Sequence, residues 1–338
     1  MFTPAGQVAG RMEIKEGIAM PVHADGACHA GPNGSPARRP PRRFVRAVLL
    51  LAVTVAALAS AQSAFALTTV SSTYGPVYEH VQYGPRLVQQ MNIFEAPASS
   101  PASPVVMLVH GGGWRFQYAL SRFASEAKAL QAQGFTVFDI NYQQDSERRP
   151  AFPTEPNDVI LATHWAMANA AQYHANAGNV VLVGGSAGGQ LVGIAGEQMN
   201  AAAPGTVDGV VSLSGPMNLE SMVSMVEEGA YTNEEFIESL NLALGRVPGT
   251  TIFASSSEMS SYPVTWSPAL QVSSHACPAW LLFNSQEEGI PLSQAQEMAS
   301  AARNAGCNVS LQVVPGSKHA FAYFGLVASS IYSFIHNH

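Results

Sequence analysis

From residue 104 to residue 215 the chain switches repeatedly between two hydrophobic periods. PVVMLVH (104–110), FTVFDINY (135–142), NVVLVGG (179–185) and DGVVSLSG (208–215) are short, nearly continuous apolar runs. Between them lie SRFASEAKALQAQ (121–133), EPNDVILATHWAMANAAQYH (155–174) and AGGQLVGIAGEQMN (187–200). The first kind of segment predicts strands buried on both faces, and the second, with apolar positions three and four apart, predicts helices. Their alternation predicts an α/β protein with a doubly wound, mostly parallel sheet. Gly134 closes the first helix, and Asp158 sits where a helix dipole favours negative charge. Residues 67–103 read as an antiparallel lead-in to this sheet.

Residues 216–262 break the alternation. NLESMVSMVEEGAYTNEEFIESLNLALG reads as two short helices, and SSSEMSSYP as a turn. The insertion is too long for an ordinary loop, so it is read as a small helical cap over the carboxyl edge of the sheet. Met217, Met222 and Met225 are either adaptable apolar surface for a ligand or packing that holds the cap down.

Charge changes the picture at the amino end. The chain of 338 residues has a formal net charge of −7. Residues 1–66 hold seven basic and three acidic residues, leaving nine basic against twenty acidic from residue 67 onward. Phosphate binding needs clustered lysine and arginine, so the acidic remainder excludes nucleic acid as a partner. The basic cluster precedes AVLLLAVTVAALA (47–59), followed by SAQSAFA with small residues at Ala64 and Ala66. Basic region, apolar core and small-residue site make up a secretory signal peptide. Cleavage is expected after Ala66, with Ala61 as second candidate. The competing reading is an uncleaved anchor formed by residues 44–66. A spanning helix wants about 20 apolar residues, and this run is shorter. After cleavage, 67–338 forms one domain with no stable membrane insertion. Cys277 and Cys307 then remain as an even pair, each opening a strand-like run. If those strands are parallel neighbours, their starts lie within reach of a disulfide, which an exported compartment would form.

The chemistry gathers around GGSAGG (184–189). Gly184 to Gly188 match G-x-S-x-G between a predicted strand and a predicted helix, the context that makes the motif a nucleophile elbow for Ser186. HGGGW (110–114) ends another strand at the same sheet edge. Consecutive glycines leave main-chain N–H groups open to a tetrahedral oxyanion, and removing one such donor costs about 10²–10³ in rate. His110 precedes those donors and is read as organising the loop. A serine hydroxyl needs a base, and the fold order is serine, acid, histidine. Of His275, His319, His336 and His338, only His319 directly follows a strand-like run at its carboxyl end. For the acid, Asp208 is the sole aspartate after Ser186 and precedes its strand, at the wrong edge. A glutamate must serve, and WLLFNSQEEGIPLS offers Glu287 and Glu288.

Taken in order, HGGGW, NYQQ, FPTEPNDV and VGGSAGGQL resemble the α/β-hydrolase-fold esterases of the hormone-sensitive-lipase and feruloyl-esterase-like groups. The resemblance spans about residues 75–335. It implies oxyanion donors at Gly112, Gly113 and Ala187, a substrate contact at Trp114, and His319 as base. Family members commonly carry an aspartate four residues before the proline of a VP pair, and counting back from Pro291 selects Glu287 ahead of Glu288. Family members often have Tyr-Arg where this chain has Tyr142-Gln143. The expected activity is a secreted serine esterase acting on a small-molecule carboxylic ester through an acyl-enzyme. No metal or organic cofactor is implied: no cysteine–histidine metal spacing occurs, and GGSAGG lacks the lysine of a phosphate loop. A polyester depolymerase or peptidase on the same fold is the enzymatic rival. A non-catalytic binding protein is the rival from another class.

Overall fold

A computed structural model describes residues 75–98, 100–115, 120, 122–145, 151–244, 266–274 and 276–338. The expected signal segment, residues 245–262 of the expected cap, and His275 lie outside these. The lead-in is β1 (Val77–Gln82) and β2 (Gln90–Phe94), followed by β3 (Ser103–Val109), α1 (Ala124–Gln131), β4 (Thr136–Ile140) and α2 (Thr154–Asn169). Then come β5 (Ala175–Gly185), α3 (Ala187–Ala202), β6 (Gly209–Leu213), α4 (Leu219–Glu227) and α5 (Glu234–Ala243). The one-turn α6 (Pro268–Gln271), β7 (Ala279–Ser285), α7 (Leu292–Asn304), β8 (Val309–Val314) and α8 (Phe324–His336) complete it.

Among the described residues, eight strands form one sheet in the order β1-β2-β4-β3-β5-β6-β7-β8. The lead-in is antiparallel, with β1 against β2 and β2 against β4. From β4 to β8 every neighbouring pair is parallel. This is the doubly wound, mostly parallel sheet of the α/β-hydrolase fold. Successive side chains of a strand point to opposite faces. Val105, Met107 and Val109 of β3 accordingly join one core with α2, α3 and α7. Val106 and Leu108 join the other, with α1 and α8. Trp280 and Leu282 against Leu281 and Phe283 divide β7 the same way. Burial on both faces explains why these strands read as unbroken apolar runs.

Asp158 does more than complement a helix dipole. It is buried, and its carboxylate accepts from Gln89 Nε2 at 2.8 Å, from the Gln143 N–H at 3.0 Å and from the Arg86 guanidinium. An arginine from the β1–β2 turn thus stands on the aspartate beside Gln143.

Cys277 and Cys307 precede β7 and β8, which are parallel neighbours. The two are joined in a disulfide with Cα atoms 6.0 Å apart. Between β6 and α6, Met217 and Met222 are buried in the core, so they pack these helices down. No helix among the described residues is long and apolar enough to cross a membrane.

Candidate active site

Ser186 is the single residue between β5 and α3, at φ +55° and ψ −127°. Its N–H donates to Leu213 O at 2.8 Å, and its own carbonyl accepts from the Gly189 N–H at 2.9 Å. Both flanks are therefore pinned, one to β6 and one to the first turn of α3. The turn is too tight for side chains: a Cβ on Gly188 would lie 2.3 Å from the carbonyl oxygens of Val109 and His110, and one on Gly184 would lie 2.2 Å from Gly188 O. Ala187 is the first residue of α3, where a backbone N–H has no partner within the helix.

The glycine loop follows β3. Gly112 and Gly113 take φ +115° and +55°, the left-handed region that a β-carbon disfavours. His110 anchors the loop from below. It is buried, with Nδ1 2.6 Å from Gly111 O and Nε2 3.0 Å from Asn141 Oδ1. Its ring stacks on Tyr142 at 4.3 Å, and the Tyr142 hydroxyl donates to His110 O at 2.8 Å. Burial pulls the His110 imidazole below its ordinary value, which favours a neutral ring.

Trp114 does not contact the cavity. It is fully buried, donates from Nε1 to Gln190 Oε1 at 2.8 Å, and packs edge-on to Phe152 and tilted against Phe236. Its φ of +62° turns the indole into the core, so it braces the glycine loop against α3 where a substrate contact was expected. The residues of α5 that reach the cavity are Glu235, Phe236 and Ser239. Only the apolar-polar pattern of α5 carried any hint of them.

His319 follows β8. Its Nδ1 lies 2.5 Å from Glu288 Oε2. The carboxylate beside the imidazole is therefore Glu288, where Glu287 was expected. The turn after β7 decides this. The Ser285 N–H and the Ser214 hydroxyl donate to Glu288 Oε1 at 2.5 and 2.8 Å, drawing that side chain fully inside. Glu287, whose N–H donates to Gly316 O at 3.2 Å, is exposed. Asp208 lies at the opposite edge, its carboxylate accepting from the Val180 N–H at 2.7 Å. His336 ends α8 and faces Phe135, and His338, two residues beyond it, faces Phe334.

Ser186, His319 and Gly111–Gly113 open onto one cavity of about 450 Å³. Phe123, Phe321, Phe236 and Ile290 give it apolar walls, while Arg122, Asn233 and Glu235 supply polar groups. The geometry brings together a serine on a strained turn, an imidazole paired with a buried carboxylate, and a loop rich in main-chain donors. Such a set can activate a hydroxyl and stabilise an oxyanion. Among the described residues, no group of three His, Cys, Asp or Glu could hold a metal ion.

The BD-FAE family model matches residues 91–301. Esterase LipQ of Mycobacterium tuberculosis is 26% identical over 271 residues, which cover 76% of this chain and 60% of LipQ. Ethyl acetate hydrolase of Pseudomonas putida is 25% identical over 245 residues, covering 70% of this chain and 72% of that protein. Among solved structures, a truncated form of a carbohydrate esterase from gut microbiota has a TM-score of 0.63 at 19% identity. It covers 80% of this chain and 98% of that one. At that identity the likeness speaks for the fold.

Proposed function

The chain belongs to the BD-FAE family, and from that membership we propose that it is a serine hydrolase cleaving carboxylic esters through an acyl-enzyme. The observation that carries this reading is the shared cavity of Ser186, His319 and the glycine loop, with Glu288 held behind the imidazole. Ser186 Oγ attacks the ester carbonyl while His319 Nε2 takes its proton. Glu288 keeps Nδ1 protonated and offsets the charge of the imidazolium. The N–H groups of Gly112, Gly113 and Ala187 receive the oxyanion. The alcohol leaves with the proton from His319, and water, activated by the same imidazole, releases the acid. The relatives are named for esters, which favours an ester over a peptide bond.

The test is hydrolysis of p-nitrophenyl esters from acetate to palmitate by the wild type and by Ser186→Ala. Activity lost in the variant supports the reading. Equal rates in the two proteins overturn it. We also infer that the protein is exported, on the strength of the basic-apolar-small pattern of residues 38–66 and the Cys277–Cys307 bridge. Mass spectrometry of the mature protein should find an amino terminus at Leu67, and one upstream of Phe44 would contradict export by cleavage.

A further inference from the structure

We propose that Ser214 is a positioning residue that fixes both the acid and the base of this site. The proposal rests on the esterase reading above. Ser214 directly follows β6, is fully buried and has φ +57°. It is not among the residues lining the cavity. Its partners all lie far along the chain. The hydroxyl donates to Glu288 Oε1 at 2.8 Å, accepts from the Ala320 N–H at 3.1 Å, and meets the Tyr323 hydroxyl at 2.7 Å.

A serine hydroxyl has one proton and two lone pairs. Here the proton goes to the carboxylate, so the Tyr323 hydroxyl is the donor to Ser214. Burial raises the Tyr323 phenol above its ordinary value, which keeps that proton in place. The result is a relay from Tyr323 to Ser214 to Glu288, in which each bond polarises the next. Ala320 is the residue after His319, and it too has a positive φ, +49°. One oxygen atom therefore holds the Glu288 carboxylate and the peptide that carries the imidazole. Alanine at 214 would leave Glu288 Oε1 with the Ser285 N–H alone, would strand the Ala320 N–H, and would leave the Tyr323 hydroxyl with only the more distant Phe283 O at 3.3 Å.

The experiment is a double-mutant cycle on the full chain with Ser214→Ala and Tyr323→Phe, assayed on p-nitrophenyl acetate. The His319 Nδ1–H proton resonance is followed in parallel. Ser214→Ala should lower kcat and kcat/KM together by about 10- to 100-fold, the size expected for a lost hydrogen bond to a charged group. Tyr323→Phe should lose less. The double variant should match Ser214→Ala, because Tyr323 acts through Ser214. The Nδ1–H resonance should move in both single variants and stay in place in Ser186→Ala. An unchanged rate and resonance in Ser214→Ala, or additive losses in the double variant, would overturn the proposal. Should Ser214→Ala fail to fold, Tyr323→Phe decides: an unmoved resonance there rejects the relay. If the wild type hydrolyses no ester through Ser186, the esterase reading fails, while the resonance comparison still judges Ser214.

Discussion

Ser186 occupies a backbone conformation that costs a non-glycine residue roughly 1–3 kcal/mol and persists where its surroundings over-determine it. Here the bonds to Leu213 and Gly189 do so. Truncating its side chain should leave this turn and the thermal midpoint in place, so loss of hydrolysis in Ser186→Ala reports chemistry alone. The two glutamates should separate sharply. Glu288→Gln should lower kcat by about 10³- to 10⁴-fold, as expected when a triad carboxylate loses its charge. Glu287→Gln should leave kcat within about twofold of the wild type, like other substitutions of exposed groups. Steady-state kinetics on the two single variants checks both, and the reverse pattern would reassign the acid. At this scale the sequence was a good guide to which serine and histidine share the cavity, since each follows a strand at one sheet edge. It misjudged the glutamate and Trp114. Which of two adjacent carboxylates turns inward depends on where the Ser285 N–H and the Ser214 hydroxyl point, and no spacing rule encodes that. Trp114 turned into the core because Gln190, one helical turn beyond Ser186, offers its indole a partner.

The elements themselves were legible because burial on both faces removes ambiguity from β3, β5, β6 and β7. Edges were harder. β5 starts at Ala175, four residues before the apolar run at 179, because main-chain pairing with β3 continues into the polar Asn176. Helix α3 carries a consequence of deep burial. Glu197 is 4% exposed and accepts from Trp280 Nε1 at 3.2 Å. Burial lifts its carboxyl to about 7. The folded chain then holds a proton up to about pH 7 that the unfolded chain releases near its ordinary value of 4.5. Stability therefore falls as pH rises through that window and levels off above it. Glu197→Gln keeps an acceptor for Trp280 without the charge. It should be more stable than the wild type by about 1–3 kcal/mol at pH 8 and equal to it near pH 4. Urea denaturation at the two pH values measures this, and a variant weaker at pH 8 would refute it.

For the molecule as a whole, the candidate site is assembled from distant stretches of chain: the glycine loop after β3, the serine after β5, and the carboxylate and imidazole after β7 and β8. The cystine closes a separation of 30 residues that takes in β7, the carboxylate and α7 and ends just before β8. Loop-closure entropy values such a link at about 3–4 kcal/mol. Cys277→Ser/Cys307→Ser should accordingly melt several degrees lower than the oxidised wild type, and calorimetry with and without reductant checks it. The bridge lies at the amino ends of β7 and β8, whereas Glu288 and His319 extend from their carboxyl ends, about 20 Å away at strand rise. Among the described residues, β8 ends the sheet and pairs with β7 alone. Between the cystine and the site, six register pairs from Trp280–Val309 to Ser285–Val314 hold the strands together, so the cystine is the stop at the bottom of a zip whose top carries carboxylate and imidazole.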